Sequence, residues 1–356
     1  TPSAPRPAPR RSWRRWPRSR SCWRAGPGRR TWWSGFRWRT TGQGIEAHPL
    51  FLNDQGDIAF LSATAKRSLL PAVQKEGKMM LLGEELIPDD FPMQEMVVPT
   101  QVSFTAPDGT KVYGQLFEKE NGNARKPAVV FIHGGPQRQM LLGWSYMDYY
   151  SNTYAINQYL ANAGFVVLSV NYRLGIGYGY DFHKPADTYY KGAAEYQDVK
   201  AAGEYLAAQP QVDAERIGIY GGSYGGYLTA LALGKDSDLF KVGVDVHGVH
   251  DFENRYDVPQ GFEVAPDYEK AKQVAWESSP YAYLDTWKSP VLFIHGDDDR
   301  NVNISHTVDL IRRFDEKNMP YEFLMLPNET HHLMKYSNMV MVDEHIVEFL
   351  ERYLKE

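Results

Sequence analysis

The stretch Ile217-Gly218-Ile219-Tyr220-Gly221-Gly222-Ser223-Tyr224-Gly225-Gly226-Tyr227 is an apolar run that stops at two glycines. It passes through a serine and two more glycines, then continues into the helix-like Tyr227-Leu228-Thr229-Ala230-Leu231-Ala232-Leu233. A G-x-S-x-G between a strand and a helix reads as a nucleophile elbow. Gly221 and Gly225 lack the Cβ atoms that would clash as the turn closes, so the serine takes a strained backbone that lifts its hydroxyl off the sheet. The helix that follows turns its positive end toward any anion formed there. A Gly-rich connection with an incidental serine is the bland reading, and the flanking strand and helix weigh against it. The dinucleotide register Gly-x-Gly-x-x-Gly is absent.

On either side of the elbow, strand and helix signals alternate. Val102-Ser103-Phe104 and Val112 to Phe117 flank the turn Pro107-Asp108-Gly109. Pro127 to His133, Phe165 to Val170, Lys241 to Val246, Pro290 to His295 and Tyr321 to Leu326 read as strands. Between and after them, helices are expected near Ala155 to Ala163, over Ala193 to Ala208, over Ser305 to Lys317 and over Asn338 to Leu354. This is an α/β pattern, a mostly parallel sheet covered by helices on both faces, with function expected in loops after strand C-termini.

The first 40 residues hold twelve Arg and no acid, so the rest of the chain carries 27 basic and 44 acidic residues, a charge of −17. A nucleic-acid partner for that acidic body is not expected. Residues 1–44 are rich in Arg, Pro and Trp with no periodicity. A basic binding arm and a targeting peptide were weighed against the composition of GC-rich DNA read out of frame. The last fits best, so a disordered, non-native leader is expected. Cys22, the single cysteine, lies in it, which leaves the body without a disulfide. No apolar run is long enough to span a membrane, and both cytosol and bacterial periplasm fit. Leu50 to Leu61, with its Asn-Asp-Gln-Gly turn, and Met79 to Leu82 suggest short strands of a small β-segment over 45–98, ahead of a main domain over 99–356.

A serine hydroxyl needs a base, and the base needs a group to hold its tautomer. The strand ending at His295 leads into Gly296-Asp297-Asp298-Asp299-Arg300-Asn301-Val302, and the last strand into Pro327-Asn328-Glu329-Thr330-His331-His332. Acid then His, after the last two strands, is the chain order of an α/β hydrolase. The three aspartates could instead form a solvated turn and helix cap. A calcium loop fails because Val302 and Val308 stand where Gly and Glu are needed. Spacing does not choose among Asp297, Asp298 and Asp299, nor between His331 and His332. For the anion formed on attack, one donor is expected at the N–H of Tyr224 and the second at Gly134 or Gly135, since Pro136 has no N–H. His247-Gly248-Val249-His250-Asp251 follows a strand and reads as a loop lining the site rather than a metal cluster; no metal and no cofactor are expected.

With these residues in hand, residues 100–356 resemble the catalytic domain of the prolyl oligopeptidase family, nearest its dipeptidyl peptidase IV and acylaminoacyl peptidase branches. The resemblance rests on His133-Gly134-Gly135-Pro136, Asn171-Tyr172-Arg173 with Gly177-Tyr178-Gly179, Gly221 to Gly226, His295-Gly296 with Asp299, and Asn328 to His331. It implies an α/β-hydrolase fold in which Ser223 is nucleophile, Asp299 the acid, His331 the base, and Gly135 and Tyr224 the oxyanion donors. It places Asn301 and Val302 at the substrate pocket, and Phe252 and Tyr256 in an apolar lid over it. Leu174 and His332 stand where the family has glycine. The family also carries an N-terminal β-propeller, of which residues 45–98 would be a remnant. The expected activity is hydrolysis of short peptides through an acyl-enzyme; the alternatives are a carboxylesterase on the same fold and an inactive truncated remnant. A face left bare by a missing propeller makes a homo-oligomer one expected assembly.

Overall fold

The computed structural model describes residues 44–120, 122, 124–257 and 263–355. The expected leader and Cys22 lie outside the described residues, except for Gly44. Four short strands come first: β1 (Ile45–Phe51), β2 (Ile58–Ala63), β3 (Leu70–Lys75) and β4 (Lys78–Leu81). They pair antiparallel in chain order, the layout of a single propeller blade. At the first turn the Asn53 side chain accepts the N–H groups of Gln55 and Asp57, the Asx chemistry its sequence announced. The blade-like sheet has a small core of Ile58, Phe60 and Ala72.

From Thr100 the chain builds the main sheet. Its elements are β5 (Thr100–Thr105), β6 (Lys111–Phe117), β7 (Lys126–Ile132), α1 (Asp148–Asn162), β8 (Val166–Asn171), α2 (Tyr180–His183), α3 (Tyr196–Ala207) and β9 (Val212–Gly222). There follow α4 (Tyr224–Lys235), β10 (Val242–Val246), α5 (Tyr268–Glu277), β11 (Val291–Gly296), α6 (Ser305–Lys317), β12 (Tyr321–Leu326) and α7 (Tyr336–Lys355). The strand order is β12-β11-β10-β9-β7-β8-β6-β5, parallel from β12 to β8 and antiparallel at β6 and β5. This is the α/β-hydrolase architecture.

Strand alternation explains why both faces are covered. In β7, Ala128, Val130 and Ile132 face a core with α3, α4 and α6, whereas Val129 and Phe131 face one with α1 and α7. Every residue of β7, β8 and β10 is buried. Hydrogen bonds tie α1 to the N-terminal segment: Tyr154 Oη donates to Ala65 O at 2.8 Å, and Gln158 bonds both backbone groups of Val97 at 2.9 and 2.8 Å. Among the described residues, no helix is long and apolar enough to cross a membrane.

Some elements differ from expectation. Helix α1 begins at Asp148, two turns before Ala155, because Tyr150, Thr153 and Tyr154 are buried although the sequence there looks polar. Strand β3 and helices α2 and α5 carried no clear periodic signal. Leu174 holds φ 79°, the left-handed region that glycine occupies at little cost, so its departure from the family pattern puts strain into the backbone.

A buried guanidinium fastens the loop after β8. Arg173 forks onto Asp198 of α3 (Nη2–Oδ1 2.6 Å, Nε–Oδ2 3.0 Å) and reaches Asp108 at 2.5 Å. Removing one partner strands a buried charge. Arg173→Ala is therefore expected to cost about 3–5 kcal/mol in urea unfolding; a loss below about 1 kcal/mol would mean the clamp is dispensable. A second site gives a pH signature. Burial raises the Asp343 carboxyl to about 6, only partly opposed by the hydrogen bond from Asn152. The ionised form thus weakens the fold above about pH 6, and the penalty disappears below the unfolded value of about 3.9. Asp343→Asn should raise Tm at about pH 8 and do so less at about pH 4; equal shifts at both would refute the assignment.

Candidate active site

Ser223 closes the turn between β9 and α4 with φ 59° and ψ −117°, a conformation uncommon for any residue but glycine. Its N–H donates to Val246 O at 2.9 Å and its carbonyl accepts from Tyr227 N–H at 2.9 Å. The backbone is therefore held from both sides, and Ser223 lines two adjoining cavities. As the first residue of α4, Tyr224 has an N–H without an intrahelical acceptor.

The loop after β7 lies against this turn. A Cβ on Gly134 would stand 2.6 Å from Gly222 O and 3.1 Å from Ser223 Cβ. Gly135, at φ 115°, lines both cavities beside Ser223. His133 is fully buried and donates from Nδ1 to Gly134 O at 2.9 Å; burial pushes its pKa down to about 4.

His331 Nδ1 donates to Asp299 Oδ2 at 2.6 Å, while Asp299 Oδ1 accepts the N–H groups of Asn301 (2.8 Å) and Val302 (2.9 Å). His295, buried in β11, places Nε2 3.5 Å from the same Oδ2. Burial alone would raise the Asp299 pKa. The bonds from His295, His331 and Val302 outweigh it and hold the carboxyl well below the usual carboxylate range. With Asp299 ionised, His331 keeps its proton on Nδ1 and leaves Nε2 free to accept. The neighbouring acids are engaged elsewhere: Asp297 accepts Asn328 N–H at 2.6 Å, and Asp298 holds Arg300 at 3.1 Å. His332 is exposed, with its ring 6.0 Å from that of Tyr149.

His247 packs its ring 4.2 Å from that of His331. Burial, then repulsion from His331 and His295, holds its pKa well below the usual histidine value. His250 turns away: its Nε2 meets Asp245 Oδ2 at 2.5 Å and its Nδ1 donates to His306 O at 3.0 Å. His247, His250 and Asp251 thus do not converge as a cluster. Among the described residues, His247, Asp299 and His331 do offer ligand atoms within 4.8 Å of one another. Both oxygens of Asp299 already accept hydrogen bonds within the protein.

Asn301 lines both cavities and Val302 the one of about 540 Å³. Phe252 and Tyr256 line neither cavity. Phe252 is fully buried and packs behind the lining residues Tyr189 and Tyr227, at 4.5 and 5.0 Å. Tyr256 packs toward Tyr190 and Tyr268, at 6.4 and 6.1 Å.

Sequence reading missed Glu195. It is fully buried, accepts the Tyr189 N–H at 3.0 and 3.2 Å and the Tyr224 hydroxyl, and so fixes two residues that line the larger cavity. Its pKa is raised by burial despite those bonds. A Glu three residues before the Asp that anchors Arg173 was the available signal, and it looked like an ordinary helix start.

The prolyl oligopeptidase family profile matches residues 151–356, more than half of the chain. The uncharacterized peptidase YuxL of Bacillus subtilis (strain 168) is 28% identical over 67% of this chain and 36% of its own length. Dipeptidyl-peptidase 5 of Porphyromonas gingivalis is 27% identical over 66% of this chain and 34% of its own length. The acylaminoacyl peptidase of Pyrococcus horikoshii shares the fold, with a TM-score of 0.73 at 24% identity over 91% of this chain and 52% of that one. The chain therefore spans about a third of the length of these curated relatives. On the strength of the matched profile and the hydrolase sheet, the chain belongs to the prolyl oligopeptidase family of serine peptidases.

Proposed function

We propose that the chain hydrolyses short peptides through an acyl-enzyme on Ser223. The observation that carries this reading is the 2.6 Å bond from His331 Nδ1 to Asp299, with His331 on a cavity wall that Ser223 shares. In the proposed mechanism, His331 Nε2 takes the Ser223 proton as Oγ attacks the scissile carbonyl. Asp299 stays ionised and stabilises the imidazolium, and His331 then returns the proton to the leaving amine. The N–H groups of Tyr224 and Gly135 receive the tetrahedral oxyanion. Water, activated by the same base, releases the acyl group. Asn301 and Val302 hold the peptide beside the serine. His247 is a positioning residue: its ring, tilted against that of His331 at 4.2 Å, limits the ring positions open to the base.

Ser223→Ala should abolish both peptide turnover and labelling by a fluorophosphonate, with the melting profile retained. Undiminished labelling of that variant would sink the reading. Asp299→Asn should lower kcat by about 10⁴, as the loss of a tautomer-holding acid does elsewhere. Asp297→Asn should change kcat by less than about threefold, within the range of a surface substitution. Comparable losses from the two would mean that Asp299 is not the orienting acid.

A further inference from the structure

Two cavities meet at Ser223, sharing Gly135, Asn301 and His331, and they differ in charge. The one of about 540 Å³ is walled by Tyr189, Tyr227, Val249 and Val302. The other, of about 480 Å³, is bordered by Arg138 and the first turn of α1. Resting on the peptidase reading above, we propose that Arg138 is the centre of an anion subsite that binds a carboxylate of the peptide substrate.

Among the described residues no carboxylate meets the guanidinium; its side-chain partners, Met147 and Tyr150, are neutral. Arg138 Nε is buried without a hydrogen-bond acceptor, and Nη1 reaches only the thioether of Met147 at 3.4 Å. The guanidinium stands 5.2 Å over the Tyr150 ring, which orients its plane without neutralising its charge. Among the described residues it forms no ion pair. Arg173 is held by two carboxylates and buried Arg67 by the carbonyls of Ser62 and Ser68, whereas half-buried Arg138 meets neither kind of partner among the described residues and lies on the cavity of Ser223. A guanidinium presents a fork of donors that fits a carboxylate in two-point contact.

The second source of positive potential is independent of it. Helix α1 is 15 residues long, and its N-cap Met147 makes no side-chain capping bond. Met147, Asp148, Tyr149 and Tyr150 all border the same cavity, so the positive end of the α1 dipole lies beside the space that Arg138 borders. Asp148 is the one acid of that turn; it is exposed and does not pair with Arg138. The backbone of Gly135 is close by: a Cβ there would stand 2.6 Å from Arg138 Nε. An anion held by Arg138 therefore sits next to the reacting centre, close enough to belong to the same short peptide.

The carboxylate has two sources, the peptide's own C-terminus and an Asp or Glu side chain. Binding to Ser223→Ala protein separates them without needing turnover. By titration calorimetry at low salt, one short peptide is compared with its C-terminal amide, and a Glu-containing peptide with its Gln counterpart. In at least one pair the carboxylate should bind about tenfold tighter, the difference a charge-assisted two-point contact produces. Arg138→Gln should erase that difference, and Arg138→Lys should restore only part of it. The proposal is overturned if neither pair differs by more than about twofold, if the preference survives in Arg138→Gln, or if no carboxylate peptide binds. A wild-type chain that binds by this rule yet escapes fluorophosphonate labelling would refute the peptidase reading and leave the subsite standing.

Discussion

Helix α4 approaches the sheet so closely that no side chain fits between them, and the site depends on that contact. A Cβ on Gly225 would lie 2.0 Å from Ile132 O, and one on Gly221 would lie 2.5 Å from the same oxygen. Real carbon atoms cannot occupy such positions without moving backbone. The start of α4 is therefore pinned to the last carbonyl of β7, and the chain that leaves β7 runs straight into His133-Gly134-Gly135. One contact thus sets the elbow and the glycine loop beside it. Gly226 and Gly248 add a second such layer, both placing a Cβ 2.4 Å from Asp245 Oδ1.

The loops around this point are held by buried polar groups, because loop backbone has no ladder to satisfy it. Asp299 accepts two loop N–H groups and a histidine; Glu195 accepts a loop N–H and a tyrosine hydroxyl. Glu329, also fully buried, accepts Met334 N–H at 2.8 Å and the Asn338 amide at 2.7 Å, and so ties the segment after His331 to α7. Removing a carboxylate from water is costly unless its oxygens are filled. Each of these acids therefore fixes local geometry more than it adds to stability, and together they hold the side chains that face Ser223.

Much of this was legible because the signals are local. The runs at β7, β8 and β10 are apolar throughout, as strands covered on both faces must be, and α6 and β12 fall on the residues their patterns mark. The elbow was readable from glycines alone. Selecting Asp299 among three aspartates was not; that needed either the family resemblance or the fold, since what separates them is the partner each meets. Glu195 and Tyr224 meet across 29 residues, and Asp299 and His331 across 32. Arg138 was invisible for a different reason. Its significance is a missing partner, and a sequence does not display vacancies. For Phe252 sequence is silent on depth, because an apolar residue near a pocket reads the same whether it forms the wall or packs against Tyr189 and Tyr227 behind it.

The conformation of Ser223 has a consequence for how the chain changes over time. Among the described residues, four of the ten non-glycine residues with positive φ follow parallel strands: Leu174, Ser223, His247 and Asn328, with φ of 79°, 59°, 43° and 55°. Glycine adopts positive φ without strain. A lineage under selection for folding alone would therefore drift toward glycine at position 223 and, in the same mutational step, lose the hydroxyl that the proposed chemistry needs.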